Sequence, residues 1–386
     1  MHIPTVEWAP KHLDWGQEIQ FESSCLTLPT NRYIAPNISF GGKAMNLSRV
    51  LLAFCLLFLS WINVGHAAAI TDAAGRKVVV PDKIERVMAA GPPASILLYV
   101  LAPQKMVGWV REPGQAEKEF LLPSVRDLPT YGQLTGKGGT ANIEAVLAAK
   151  PDVIIDVGTV SPTYASLADK VQEQTGIPYV LIDGSVAGTP TTLRETGAML
   201  GVQDRAEELA AYSEKSLAEL QAGLASIKGS ERPKVYYGRG PEGLETGLSG
   251  SINMEIISAA GAENVAAAAG KGGLTQVSAE QVLSWRPDII IAASPKFAVS
   301  LSGDPIWSRL DAVKDGRVHI APGLPFGWID SPPGVNRMIG IKWLEHVFYP
   351  EKFKIDLTSE IKSFFKLFYQ VEVTDQQVAK LLPARK

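Results

Sequence analysis

From residue 84 the chain alternates short apolar runs with amphipathic stretches. The runs "IERVMAA" (84–90), "MVGWV" (106–110), "DVIIDVG" (152–158) and "PYVLID" (178–183) read as buried strands, and "ILLYVLA", "ANIEAVLAA" and "YASLADKVQEQTG" read as helices. Strands that are apolar throughout, rather than every second residue, belong to parallel sheets covered on both faces. The rhythm stops between 191 and 228, where no strand pattern occurs and Leu217, Leu220, Leu224 and Ile227 mark one helical stripe. It restarts with "KVYYG", "INMEIISAAG", "SAEQVLSW", "DIIIAAS", "RVHIAPG" and "VNRMIGIKWLEHVF", and two further helical patterns close the chain. The expectation is an α/β protein of two Rossmann-like lobes with mainly parallel sheets, 70–190 and 231–386. A long interdomain helix within 191–230 joins them, and a ligand cleft lies between them.

Two segments repeat one device. "NIEAVLAAKPDVII" (142–155) and "SAEQVLSWRPDIII" (278–291) each begin with an N-cap residue, Asn142 or Ser278. Each continues with Glu144 or Glu280 in the first turn, and Leu147 and Leu283 are expected to face the core. Lys150 and Arg286 fall in the last turn, where a cation suits the helix dipole, and Pro151 and Pro287 stop the helices. The glutamates have two readings from spacing alone. They complement the positive helix N-terminus, or each lobe presents one exposed carboxylate to a partner that touches both lobes.

The first 69 residues fall outside this rhythm. Residues 1–44 show no periodicity and read as an upstream extension, with Met45 as the start. Residues 45–69 carry a basic Arg49, an apolar run and Ala67-Ala68-Ala69, the layout of a cleavable secretory signal peptide. Cys55 follows Phe54 and does not fit a lipidation site, and the other cysteine, Cys25, lies upstream. An exported chain without cysteines relies on a large core. The net charge of −3 gives no footprint for nucleic acid. "GRGPEG" (238–243) reads as a loop and not a dinucleotide site, because Pro241 and the glycines oppose a helix there. Lys137 and Lys271 sit in two "GKGG" loops that are not phosphate loops. His319 and His346 read as structural, so a bare metal ion is not expected as ligand.

The order of these parts resembles the periplasmic substrate-binding proteins of ABC importers for iron–siderophore complexes, haem and cobalamin. The resemblance spans 70–383 and rests on "ITDAAGRKVVVPDKIERVMAAGPPASILLYVLA", the two repeated segments, the strand-free connector and "PFGWIDSPPGVNRMIGIKWLEHVFYPEKF". It implies a periplasmic, non-enzymatic, monomeric protein without a cofactor. It also implies docking onto an inner-membrane permease through Glu144 and Glu280, and capture of a metal chelate. A ferric siderophore complex is the first expectation, with cobalamin, haem or an oxyanion such as molybdate as alternatives. A secreted hydrolase is the rival of another class, but no nucleophile elbow is present.

In this architecture ligands sit beyond the C-terminal ends of the strands. That selects Trp109, Arg111 and Tyr164 in the first lobe and Tyr236, Tyr237, Arg239, Phe326 and Trp328 in the second. Aromatic faces and arginines suit a bulky anionic chelate. Haem would want an axial ligand such as Tyr164, Tyr236 or Tyr237. An oxyanion would want a small cleft rich in hydrogen-bond donors.

Overall fold

The structure is a computed structural model and describes residues 67–136 and 139–382, all within one compact unit. The expected extension, the hydrophobic run of the signal peptide and Lys137 lie outside the described residues. Ala67–Ala69 lie inside, as the start of the first strand.

The first lobe opens with an antiparallel hairpin of β1 (Ala67–Thr71) and β2 (Lys77–Pro81). Its centre is a parallel sheet in the order β3 (Val87–Ala89), β4 (Val153–Gly158), β5 (Tyr179–Asp183). Around it lie α1 (Pro92–Leu101), the short α2 (Gln115–Lys118), α3 (Ile143–Ala149), α4 (Pro162–Thr175) and α5 (Thr189–Leu200). Pro92 and Pro93 open α1, where a missing N–H costs nothing, and Ala94 to Leu101 are all buried. The expected strand at 106–110 is instead a pair of single bridges, Val87 to Met106 and Trp109 to Thr130. Gly108 is pressed against Pro129 and Tyr131, and Trp109 exchanges backbone hydrogen bonds with 129–131 at 2.8 and 2.9 Å. The segment is held by a neighbouring loop and not by a ladder.

The connector is strand-free among the described residues. α5 ends at Gly201, in the left-handed region at φ 69°, and α6 (Gln203–Ala225) follows. Gly197 lets the two helices touch, since a Cβ there would strike Ala206. The expected stripe faces the core: Leu220 and Ile227 are buried, and Leu217 and Leu224 pack against buried neighbours. It extends toward the N-terminus through Ala206, Leu209, Ala210 and Ser213.

The second lobe has a four-stranded parallel sheet in the order β11 (Val318–Ile320), β10 (Ile289–Ala292), β6 (Lys234–Gly238), β8 (Glu263–Asn264). A small antiparallel pair, β7 (Glu245–Gly247) and β9 (Leu274–Gln276), lies beside it. Its helices are α7 (Ile252–Ala259), α8 (Ala279–Trp285), α9 (Pro295–Ser300), α10 (Asp311–Lys314), α11 (Arg337–Phe348), α12 (Leu357–Phe364) and α13 (Asp375–Leu381). "GRGPEG" is the loop between β6 and β7, with Gly240 and Gly243 at positive φ.

The repeated segments are one device built twice. Asn142 accepts from the Glu144 amide at 2.8 Å and Ser278 from the Gln281 amide at 3.2 Å. Lys150 and Arg286 do not end the last turn as simple cations. Both are C-caps in the left-handed conformation, at φ 46° and 50°. Asp152 accepts from the Glu85 and Arg86 amides at 2.7 and 2.8 Å, and Asp288 from the Lys234 amide at 2.8 Å. Each aspartate thus ties its strand to the start of the neighbouring one. One expectation is corrected: Leu147 is 42% exposed and Val146 takes the core position, whereas Leu283 packs half-buried against the core beside the buried Val282.

Candidate functional site

The lobes meet along the C-terminal ends of β4 and β5. Gly158 and Gly184 pack backbone to backbone there, with the Gly184 amide on the Gly158 carbonyl at 3.0 Å. A Cβ on Gly184 would come within 2.7 Å of the Gly158 Cα. Beside this junction Arg337, 1% exposed at the start of α11, spans both lobes. It donates to the carbonyls of Gly184 in the first lobe and Gly334 and Ile252 in the second, and pairs with Glu255 at 3.1 Å. Glu255, on α7, also accepts from the Val186 amide of the first lobe at 2.9 Å. Burial lowers the Arg337 pKa and Glu255 opposes that shift. A buried guanidinium with its acceptors filled fixes how the lobes sit.

Two cavities adjoin this latch, each walled by both lobes. One, of about 260 Å³, has Thr135, Asp156, Thr159 and Tyr164 on one side and Ile252, Asn253 and Leu274 on the other. The second, of about 660 Å³, has Thr159, Asp183 and Ser185 facing Ser249, Ser251, Glu255 and Asn264. They share Gly158, Thr159, Val160 and Ile252 as walls. Among the described residues no lysine or arginine lines either cavity, and Tyr164 is the one aromatic wall. Short hydroxyl and amide side chains dominate the polar lining. Asp183 is occupied by the Ser185 amide and hydroxyl at 3.1 and 2.5 Å, and Glu255 by Arg337 and Val186. Asp156, 6% exposed, accepts from the hydroxyls of Thr135 at 3.1 Å and Tyr179 at 3.0 Å. Burial outweighs these donors and pushes its pKa up to about 6.

Of the eight residues expected to meet ligand, the structure places Tyr164 in the cleft. Tyr236 and Tyr237 lie within β6 and not beyond it, so they point to opposite faces of a sheet covered on both. Tyr236 is fully buried, its hydroxyl donating to the Gly243 carbonyl at 2.6 Å. Tyr237 donates to Asp330; burial, then the Asp330 charge, raises its pKa well above the usual value, so it remains a donor. Arg239 pairs with Glu245 and, at 2.6 Å, with Asp330. Asp330 in turn accepts from Asn253 at 3.0 Å. Tyr237 and Arg239 therefore stand one layer behind a cleft residue. Trp328 is fully buried and donates to the Leu324 carbonyl at 3.2 Å. Trp109 donates to the Val125 carbonyl at 2.7 Å, and with Phe326 it packs on Tyr99. Both line a small recess of about 30 Å³ with Arg111; the recess shares the Pro92 wall with the 260 Å³ cavity, and Arg111 is held by Glu117 at 2.6 and 2.8 Å. The sequence reading missed Thr135, Asp156, Thr159 and Asn253.

Glu144 and Glu280 are exposed, in matching places at the starts of α3 and α8. His319 and His346 line a third cavity, of about 380 Å³, inside the second lobe. Among the described residues no cluster of three metal-ligating side chains occurs, and no helix is long and apolar enough to cross a membrane.

The family described as "Periplasmic binding protein" matches residues 107–323. The molybdate-binding protein MolA of Haemophilus influenzae is 27% identical over 363 residues, covering 87% of this chain and all of the relative. An ABC transporter solute binding protein from Sulfurospirillum deleyianum superposes with a TM-score of 0.74 at 30% identity, over 81% of this chain and 98% of that one. Molybdate-bound MolA superposes with a TM-score of 0.67 at 25% identity, over 80% and 99%. The chain belongs to the periplasmic binding protein family, and its two-lobe architecture is that of the solute-binding components of ABC importers.

Proposed function

We propose that this periplasmic binding protein captures a small oxyanion of the molybdate class between its lobes and delivers it to an inner-membrane permease. The observation that carries the cargo is the chemistry of the cleft walls: the hydroxyls of Thr159 and Ser249, and the second amide protons of Asn253 and Asn264, supply short neutral donors around two cavities. A flat macrocycle such as haem or cobalamin needs broad apolar or aromatic walls, and a bulky anionic ferric chelate needs exposed cations. Seven of the eight side chains behind the ferric-siderophore expectation pack in the core, stand behind the cleft or line the small recess beside it, which favours the oxyanion over a ferric chelate. A tetrahedral oxyanion is satisfied by several hydrogen bonds from rigid neutral donors. The resemblance to a molybdate-binding protein along the whole of that relative's length supports the same cargo.

Glu144 and Glu280 serve as the docking carboxylates, one per lobe. Both are exposed at the second position of a side-chain-capped helix, and a carboxylate pairs with arginine in a directional, bidentate way. Export through the 45–69 segment and action as a monomer complete the reading. The test of the cargo is calorimetric titration of the exported chain with sodium molybdate, sodium tungstate, sulfate, haemin, vitamin B12 and a ferric hydroxamate. Saturable binding of molybdate or tungstate alone is expected. Binding of haemin, vitamin B12 or the ferric chelate in place of the oxyanions would overturn it.

A further inference from the structure

We propose that Asp156 is a specificity-determining residue that admits an oxyanion to the cleft only as a neutral carboxylic acid, so that capture takes up one proton. The inference rests on the oxyanion reading above. Asp156 sits near the C-terminal end of β4, on the wall of the 260 Å³ cavity, opposite Asn253. Its side-chain partners are both neutral hydroxyls, and the Val157 backbone is its further hydrogen-bond partner. Glu255 has Arg337, and Asp183 takes the amide and hydroxyl of Ser185 within a turn. Among the described residues no cation is one of the groups acting on Asp156.

Among the described residues, a proton is the available compensation. On the neighbouring strand β5, Tyr179 donates to Asp156, and Thr135 donates from the loop before α3. Tyr164 on α4 is a titratable group near Tyr179. Arg76, beyond β5, is committed to the Tyr179 carbonyl, Asp72 and Asp169 at 3.1, 2.9 and 2.8 Å. β3 carries no titratable side chain, and α1 carries only Tyr99, whose hydroxyl donates to the Tyr369 carbonyl. An anion brought into this cavity would meet an uncompensated buried carboxylate, a repulsion weakly screened in a partly desolvated site. Protonation converts the same group from an acceptor-only carboxylate into a neutral acid with one hydroxyl donor. Burial already moves its titration to about pH 6, so the switch falls within reach of ordinary conditions.

The balance is simple. The anion and one proton enter together, the proton rests on a carboxylate oxygen of Asp156, and both leave on release. The affinity should therefore fall about tenfold for each pH unit above about 6. The experiment is calorimetric titration with sodium molybdate from pH 5.5 to 8.5, in buffers of differing ionisation enthalpy, on the wild type and Asp156→Asn. The wild type should take up close to one proton per anion at pH 7.5 and show the tenfold slope. Asp156→Asn, a neutral donor at every pH, should take up none, bind with a flat profile, and exceed the wild type by about 100-fold at pH 8. Molybdate binding without proton uptake in the wild type, or equal slopes in the two proteins, would overturn this inference and leave the oxyanion reading standing. Absence of molybdate binding at every pH would overturn both.

Discussion

Arg337 offers the sharpest structural test. Replacing it with alanine removes a buried guanidinium that pairs with Glu255 at 3.1 Å and serves the carbonyls of Gly184, Gly334 and Ile252. Glu255 keeps its hydrogen bond from the Val186 amide but loses its cation, with its side chain only 31% exposed. Breaking a buried pair by removing one partner costs about 3–5 kcal/mol. At about 2–4 °C per kcal/mol, Tm should drop by roughly 6–20 °C. Differential scanning calorimetry without ligand measures this. Because Arg337 binds groups from both lobes, Arg337→Ala should also sample more open arrangements, seen as an increased radius of gyration in small-angle scattering. The double variant Arg337→Met with Glu255→Gln should recover part of the loss, since it removes both charges together. A Tm unchanged in Arg337→Ala would show that the latch does not hold the lobes. Arg194→Ala is the control: its partners Glu207 and Glu214 are exposed, and no measurable loss is expected.

Two further outcomes are expected. Glu144→Ala with Glu280→Ala should abolish import in cells while molybdate affinity in solution stays unchanged; weakened affinity would refute the docking assignment. Asp156 has a folded pKa above its unfolded value, so its contribution is present below about pH 4 and is lost as pH rises through about 6. Without ligand, Asp156→Asn should therefore be more stable than the wild type at pH 8, by about 2–3 kcal/mol, with the gap closing toward pH 4. Equal melting curves at both pH values would count against a raised pKa.

The architecture was legible because its signals are local and repeated. Apolar strands such as "DVIIDVG" and "DIIIAAS", caps at Asn142 and Ser278, and the strand-free stretch over α5 and α6 each determine a short piece of backbone. The site was less legible, because it depends on which side chains the backbone turns toward the cleft. Tyr236 and Tyr237 look like a binding pair in sequence, yet adjacent strand residues must part to opposite faces. Trp109 and Phe326 cluster with Tyr99 and Tyr369, a set drawn from both ends of the folded chain. The exposed Leu147 shows the same limit on a smaller scale, since one residue of helix phase exchanges it with Val146. One signal for the cleft was present and unused. Asp156 is a lone acid at the end of an otherwise apolar strand, where an unpaired carboxylate has no structural benefit. Asn253 and Thr159 gave no such sign.

The central claim is that an oxyanion sits between the lobes beside Thr159 and Asn253. Tungstate has the tetrahedral shape of molybdate and a strong anomalous signal, so a crystal grown with sodium tungstate at pH 6 locates it directly. The account predicts one anomalous peak between the lobes, within hydrogen-bonding distance of these donors and of Asp156. A peak only in the histidine-lined cavity of the second lobe, or none at saturating tungstate, would contradict it.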